Sequence, residues 1–181
     1  SARRPGFIAN IMPMPRPILA TVHLCALRHN LERLQRAAPD SRLWAVVKAN
    51  AYGHGMVPAA KAALAGGATW LGTADIAEAL TLREAGITAP VLCWIHAPDE
   101  TFDEAVAADI TLGAVSVAQL NAIAAAGHRN KTTPRVHLKL DTGLSRNGAS
   151  PEQWADFMRT AAELHASGDL DVEGVMSHLS N

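Results

Sequence analysis

Short apolar runs alternate with longer segments of helical hydrophobic periodicity along almost the whole chain. The runs predict six β-strands, over residues 43–49, 70–74, 91–95, 111–115, 135–141 and 172–179. The segments between them predict helices over residues 58–66, 76–86, 101–108, 117–127 and 151–168, and one more helix over 26–38 precedes the first strand. This alternation is typical of right-handed β/α units built around a parallel sheet.

Polar residues and glycines mark several of these predicted helix ends. Short polar side chains favour N-caps, and glycine favours the position just after a helix. The expected N-caps are Asp75, Asp99 and Ser150, and the expected stops are Gly66, Gly86, Gly127 and Gly168.

Six successive β/α units favour a (β/α)8 barrel of the TIM type over a doubly wound sheet. The chain has no G-x-G-x-x-G turn and no obvious break in strand order. A complete barrel needs about 250 residues, whereas this chain has 181. We therefore expect about six of the eight units, and we hypothesise that the chain is the N-terminal part of a longer protein.

Composition and charge give no sign of a nucleic-acid-binding, membrane-binding or disulfide-rich protein. The 16 basic and 17 acidic residues leave a net charge of −1, so nothing indicates a nucleic acid or an anionic membrane as partner. Cys25 and Cys93 lie in apolar runs and are expected to be reduced thiols. Residues 1–17 predict a disordered leader and residues 18–181 the barrel domain. No run is long enough to span a membrane, which leaves the cytoplasm as the expected location.

Lys48 is the most informative residue, because the run A-V-V-K-A-N-A-Y-G-H-G (45–55) places it at the end of an apolar strand. Burying an unpaired ammonium group costs on the order of several kcal/mol. The cost is avoided when the group is paired with an anion, deprotonated or converted into a covalent bond. A Schiff base with an aldehyde cofactor removes that cost. The alternative is a lysine that extends to water. The turn after Lys48 offers backbone N–H groups and the Tyr52 hydroxyl to a phosphate, although Tyr52 could also be an ordinary core or surface residue.

Other polar residues end the later strands of the predicted barrel. They are Trp94 in the third strand, Lys139 and Asp141 in the fifth, and His178 in the sixth. Active sites of such barrels lie at the C-terminal ends of the strands. This clustering favours one site, although a lone strand histidine such as His178 is more often a core residue.

Lys139 and Arg146 would bring two further positive charges to this end of the barrel. Alternation places Lys139 on the inner face, and two close cations need an anion between them. Asp141 could supply it, or Lys139 could be carbamylated by carbon dioxide and hold Arg146. The planar guanidinium of Arg146 suits a substrate carboxylate; the alternative is an exposed loop arginine.

The eight histidines show no metal-ligand spacing, and neither a paired-cysteine motif nor H-E-x-x-H occurs, so no metal site is expected.

Three motifs together resemble the N-terminal barrel of bacterial alanine racemases. They are A-V-V-K-A-N-A-Y-G-H-G (45–55), K-L-D-T-G-L-S-R-N-G (139–148) and G-V-M-S-H-L (174–179). The resemblance implies an isomerase of fold type III that uses pyridoxal 5′-phosphate (PLP). It implies interconversion of L- and D-alanine for the cell wall, and a homodimer.

Residue by residue, the resemblance implies that Lys48 is the PLP-linked lysine and one catalytic base, and that Tyr52 binds the phosphate. Arg146 would lie near the cofactor and the substrate carboxylate, with a carbamylated Lys139 as its support. His178 would lie beside the pyridine ring. Trp94 is also expected to contact the cofactor, because of its place at the end of the third strand.

The family's second base is a tyrosine of a C-terminal β domain, supplied by the other subunit. The only tyrosine in this chain is Tyr52, so the resemblance implies that this domain is absent here. Two alternatives stay open: a related racemase of serine or another small amino acid, and a non-catalytic barrel of PLP homeostasis. The loop D-T-G-L-S-R fits the second poorly.

Overall fold

Six parallel strands form a single sheet in the order in which they occur along the chain. The computed structural model describes residue 18 and residues 20–179, so the predicted leader lies outside the described part. The strands are β1 (Trp44–Val46), β2 (Trp70–Thr73), β3 (Val91–Cys93), β4 (Thr111–Ala114), β5 (Arg135–Leu140) and β6 (Asp171–Ser177). A doubly wound sheet reverses its strand order, and this sheet does not. Six units of a (β/α)8 barrel, as predicted, are confirmed.

A helix precedes the sheet and one follows every strand from β1 to β5. They are α1 (Leu24–Ala37), α2 (Met56–Ala65), α3 (Ile76–Glu84), α4 (Asp103–Ala107), α5 (Val117–Asn130) and α6 (Trp154–Ser167), the last preceded by a 3₁₀ turn, Pro151–Gln153. Within the described residues, no helix is long and apolar enough to cross a membrane.

Two of the predicted helix boundaries are confirmed at their N-caps, and two others are wrong. Asp75 accepts a hydrogen bond from the Glu78 N–H, and Ser150 forms a capping box with Gln153. Asp99 caps no helix, because α4 begins only at Asp103. The helix α5 continues past Gly127; this residue is small because an added Cβ would lie 2.5 Å from Cδ of Pro134.

The outer face of the sheet forms the hydrophobic core with the helices. Leu71, Leu112 and Leu138 point outward and are almost completely buried, and they belong to one cluster with helix residues such as Leu82 and Leu120. Continuous burial of strand residues is the pattern of a parallel sheet covered by helices. This layer fixes the strands and therefore the ends that carry the site.

The inner face carries an aromatic layer formed by residues of β1, β2 and β5. Trp44 and Trp70 stack with ring centroids 4.6 Å apart, and His137 meets both edge-on at 5.2 and 5.7 Å. His137 packs on Gly174, where a Cβ would lie 2.8 Å from its Cε1. Burial lowers the pKa of His137. His137 therefore serves here as a packing ring below the strand ends.

One irregularity interrupts the pairing of the last two strands. Val136 pairs with Val172, but His137 pairs with Gly174, so Glu173 is an extra residue in β6. This is a β-bulge. Glu173 approaches Arg135 on β5 at 3.6 Å and Thr111 on β4 at 3.4 Å.

Candidate active site

Lys48 does not end a strand, as the sequence predicted, but begins a tight turn. The strand β1 stops at Val46, and the segment Lys48–Tyr52, called the lysine turn below, follows. Its residues Ala49 to Tyr52 have φ values of 51 to 54°. Left-handed backbone costs roughly 1–2 kcal/mol for each residue with a Cβ. Four such residues in succession need other contacts to hold them.

Three kinds of hydrogen bond hold the lysine turn. The Ala51 N–H donates to the Val47 carbonyl at 2.8 Å, within the turn. The side-chain oxygen of Asn50 accepts from the Met56 N–H at 2.8 Å, which ties the turn to the start of α2. The Ala49 N–H donates to Oε1 of Glu78, on the neighbouring α3. The last contact is the one that joins the turn to the next β/α unit.

Lys48 and Tyr52 face each other across the turn. The Nζ of Lys48 lies 6.0 Å from the centroid of the Tyr52 ring. Tyr52 is 60% exposed, which excludes the alternative of a core tyrosine. Lys48 is half-buried. Both side chains are therefore accessible to a ligand at the strand ends.

Lys139 is a buried cation on the inner face of β5. It is 3% exposed, and its Nζ donates to the side-chain oxygen of Asn147. Burial is the main cause that lowers its pKa, followed by the positive charges of Arg146 and Lys48. The three cations thus lie near one another at the C-terminal ends of the strands, a region called the mouth below. Among residues 20–179, none of the three takes part in a salt bridge.

Asp141 is not the counterion that the sequence allowed. Its Oδ1 accepts from the backbone N–H groups of Gly143 at 2.9 Å and Ser145 at 3.0 Å. These two bonds are the main cause that lowers the pKa of Asp141. Its carboxylate shapes the loop, so it leaves the positive charges at the mouth uncompensated.

The loop over residues 141–149 is tied back to the end of β5. The Asp141 N–H donates to the Ala149 carbonyl, and the Ala149 N–H donates to the Lys139 carbonyl, each at 2.9 Å. Gly148 has φ 142°, and an added Cβ would lie 2.6 Å from the Asp141 nitrogen. Only glycine fits there. The loop therefore holds Arg146 and Asn147 in fixed positions.

Trp94 and His178 lie at the same ends of their strands but apart from this group. Trp94 follows β3 and covers Gly72, where a Cβ would lie 2.7 Å from its ring. His178 follows β6 and is exposed in this chain. The strands β1 and β6 are opposite edges of the sheet, so Lys48 and His178 approach the mouth from its two sides.

Two contacts at this site were missed from the sequence. Asn147 was passed over because its importance depends on the fold of the loop. Glu78 was passed over although Asp75-x-x-Glu78 is a recognisable capping pattern. Within the described residues, no group of three His, Cys, Asp or Glu side chains is arranged to hold a metal ion.

The fold and the mouth together define a class: a six-stranded part of a β/α barrel that gathers positive side chains beside a lysine at the C-terminal ends of its strands. The chain belongs to the family described as alanine racemase, N-terminal domain, whose sequence model matches residues 22–181.

Curated relatives and solved structures agree with this family. The chain is 50% identical to alanine racemase of Frankia casuarinae over 161 residues, which cover 89% of this chain and 42% of that protein. It is 52% identical to alanine racemase of Salinispora arenicola, over 87% of this chain and 42% of that protein. The alanine racemase structure from Streptomyces lavendulae superimposes with a TM-score of 0.84 at 46% identity, over 86% of this chain and 41% of that one. The chain thus spans less than half the length of these relatives.

Proposed function

We propose that the full-length protein interconverts L- and D-alanine with PLP as cofactor. The observation that carries this is the convergence of Lys48, Lys139 and Arg146 on one mouth without a carboxylate among the described residues to neutralise them. PLP brings a phosphate and alanine brings a carboxylate, so both supply the missing negative charge. The relatives named above support alanine as the substrate.

Lys48 would hold PLP through its amine, and the amine, released when an amino acid takes its place on the cofactor, would move one proton. Bound PLP supplies an electron sink that acidifies the α-hydrogen of an amino acid attached to it. The Lys48 amine removes or returns that proton on one face of the α-carbon. The lysine turn fixes the backbone from which this side chain projects.

Tyr52 would hold the phosphate of PLP beside the lysine turn. Tyr52 offers its exposed hydroxyl there, and the backbone N–H groups of Gly53 and His54 are already used within the turn. Trp94 and His178 line the remainder of the mouth and contact the cofactor. The position of each side chain near a strand end supports this part of the proposal.

Arg146 would bind the substrate carboxylate and would also contact the cofactor. Lys139 supports it, and carbamylation would turn the amine into an anion that pairs with the guanidinium. The lowered pKa of Lys139 favours the neutral amine that such a reaction needs. Asn147 then stays within reach of either form, because its amide both accepts and donates.

The second base comes from outside these 181 residues. Racemisation needs a group on each face of the α-carbon, and the only tyrosine in the chain is Tyr52. A tyrosine of a further domain, supplied by the partner in a homodimer, fits this need. The protein works in the cytoplasm, where D-alanine enters peptidoglycan precursors.

The ordered loop over residues 141–149 favours an enzyme over a non-catalytic PLP carrier. A carrier needs the lysine and a phosphate site. It has no use for an arginine held beside a buried lysine by a loop with its own hydrogen bonds.

The test is PLP binding and racemisation by the full-length protein. We expect a visible absorbance band that disappears in Lys48→Ala and persists in Lys61→Ala, a change at an exposed lysine of α2. We also expect loss of optical rotation from L-alanine. A band that survives in Lys48→Ala, or a cofactor-loaded protein that leaves L-alanine unchanged, would refute the proposal.

A further inference from the structure

We propose that Glu78 is the positioning residue that holds Lys48 in its working geometry, an inference that rests on the proposed function. Glu78 lies in the first turn of α3, on the β/α unit next to the one that carries Lys48. Its carboxylate joins the two units through backbone contacts alone. Both of its oxygens accept from backbone N–H groups, so it acts through the lysine turn.

The two oxygens of Glu78 serve different parts of the molecule. Oε2 accepts from the Ala74 N–H at 2.9 Å, just before the N-cap of its own helix. Oε1 accepts from the Ala49 N–H, the residue directly after Lys48. The N–H of Glu78 itself donates to Oδ1 of Asp75 at 2.9 Å. The side chain is therefore fixed from its own helix and is aimed at the lysine turn.

The turn after β4 repeats this arrangement without the second contact. There Ser116 is the N-cap of α5 and accepts from the Gln119 N–H at 3.2 Å. The Gln119 side-chain oxygen reaches back to the Val115 N–H at 3.0 Å. The residues correspond one to one: Asp75 to Ser116, Glu78 to Gln119, and Ala74 to Val115.

This comparison separates helix capping from lysine positioning. Capping needs one acceptor, and glutamine supplies it at position 119. Position 78 faces two N–H donors, and a glutamine there would turn its NH₂ group toward one of them. The carboxylate is required only because Ala49 must be bound as well as Ala74.

The bond to Ala49 bears on catalysis because the lysine turn is held against its own backbone preference. Residues Ala49 to Tyr52 are left-handed. Once the Ala49 N–H is released, the turn can relax toward right-handed or extended backbone, and the Lys48 side chain shifts with it. A displacement of about 1 Å at a reacting group can cost up to roughly a hundredfold in rate.

The experiment pairs Glu78→Gln with Gln119→Glu, the reciprocal change in the equivalent turn, in the full-length protein. The first readout is hydrogen exchange of the Ala49 amide in cofactor-free protein, followed by NMR. We expect exchange about tenfold faster in Glu78→Gln, the equivalent of losing one hydrogen bond to a charged group, and no change in Gln119→Glu.

The second readout is kinetic. In Glu78→Gln we expect kcat to fall about tenfold to a hundredfold while KM for alanine stays within about twofold, since the carboxylate-binding groups are untouched. Covalent attachment of PLP, trapped by borohydride reduction at Lys48, is expected to slow in parallel. Gln119→Glu should match wild type in all three measurements.

Unchanged Ala49 exchange or unchanged kcat in folded Glu78→Gln would overturn the inference. If that variant does not fold, wild-type exchange decides: an Ala49 amide as fast as in an unstructured peptide overturns it, and protection of at least about tenfold supports it. A wild-type protein without racemase activity would instead refute the proposed function, so the two failures are distinct.

Discussion

The turns after β2 and after β4 share one capping scheme but differ in what they do for the site. Each starts its helix with a short polar N-cap, and each has a long side chain three residues later that reaches back to the preceding N–H. Only Glu78 also binds a neighbouring turn, through Ala49. One extra oxygen therefore distinguishes a structural turn from one that serves the lysine. Glu78 thus completes the cap of its helix, as Gln119 does, and in addition binds the lysine turn.

The largest expected effect comes from replacing Glu78 and Gln119 with leucine, each in its own variant. Glu78→Leu removes two hydrogen bonds to a carboxylate and should lower the free energy of unfolding by about 2–4 kcal/mol, whereas Gln119→Leu removes one bond to a neutral amide and should cost about 1 kcal/mol. Urea denaturation of the full-length variants measures both. Equal losses would show that the bond to Ala49 adds nothing to stability.

A smaller effect is expected at β3, the strand between the two compared. His96 follows it, and burial lowers the pKa of His96 to about 4 from 6.5. The unfolded chain therefore takes up this proton at higher pH than the folded chain. The free energy of unfolding should fall as pH drops from 6.5 to 4, by up to about 3 kcal/mol from this residue.

The change His96→Leu tests this assignment, with His128→Gln as its control. His96→Leu should flatten that part of the stability curve, measured by thermal unfolding at a series of pH values. His128 is exposed and pairs with Asp169 at 2.9 Å, so its replacement should leave the fall between pH 6.5 and 4 in place. A slope that is unchanged in His96→Leu contradicts the assignment.

The smallest effect concerns the N-caps themselves. Asp75→Ala and Ser116→Ala each remove one cap and should each cost about 1 kcal/mol. Equal losses in urea denaturation would confirm that the two turns differ only beyond the cap. A distinctly larger loss for Asp75→Ala would mean that the cap also holds Glu78 toward Ala49, and the comparison would then need both residues.

The sequence was most reliable where a single period governs the structure. All six strands were predicted from short, continuous apolar runs, because a parallel sheet buries its strands on both faces. The helices were predicted from the segments of helical periodicity between those runs. The last strand was predicted to reach 179 and ends at Ser177. Errors of this size arise because the apolar pattern does not stop where the hydrogen bonds stop.

The errors near the site have a different cause. The strand over 43–49 was extended through Lys48 because A-N-A-Y gives little sign of left-handed backbone, in which glycine is the usual residue. Asp141 was allowed as a counterion because a sequence does not show that two N–H groups of its own loop occupy the carboxylate. Gly127 was predicted to end a helix, but a glycine is needed there because a larger residue would collide with Pro134.

The site group itself was anticipated in part. The structure brings Lys48, Tyr52, Lys139 and Arg146 to one mouth, as the strand ends suggested, while their chemical roles stay predictions. The bond between Glu78 and Ala49 could not be anticipated, since it joins residues 29 positions apart in sequence. Long-range contacts of a capping residue leave no local pattern.

The bulge at Glu173 has a consequence for how this strand tolerates length changes. Side chains along a strand alternate between faces, so one extra residue reverses the alternation for every position beyond it. Gly174 and Met176 lie opposite His137 and Lys139 only because of that reversal. Deletion of Glu173 would therefore turn the bulge into a regular ladder: Val172 would stay opposite Val136 and Gly174 opposite His137, and only the carboxylate that approaches Arg135 and Thr111 would be lost.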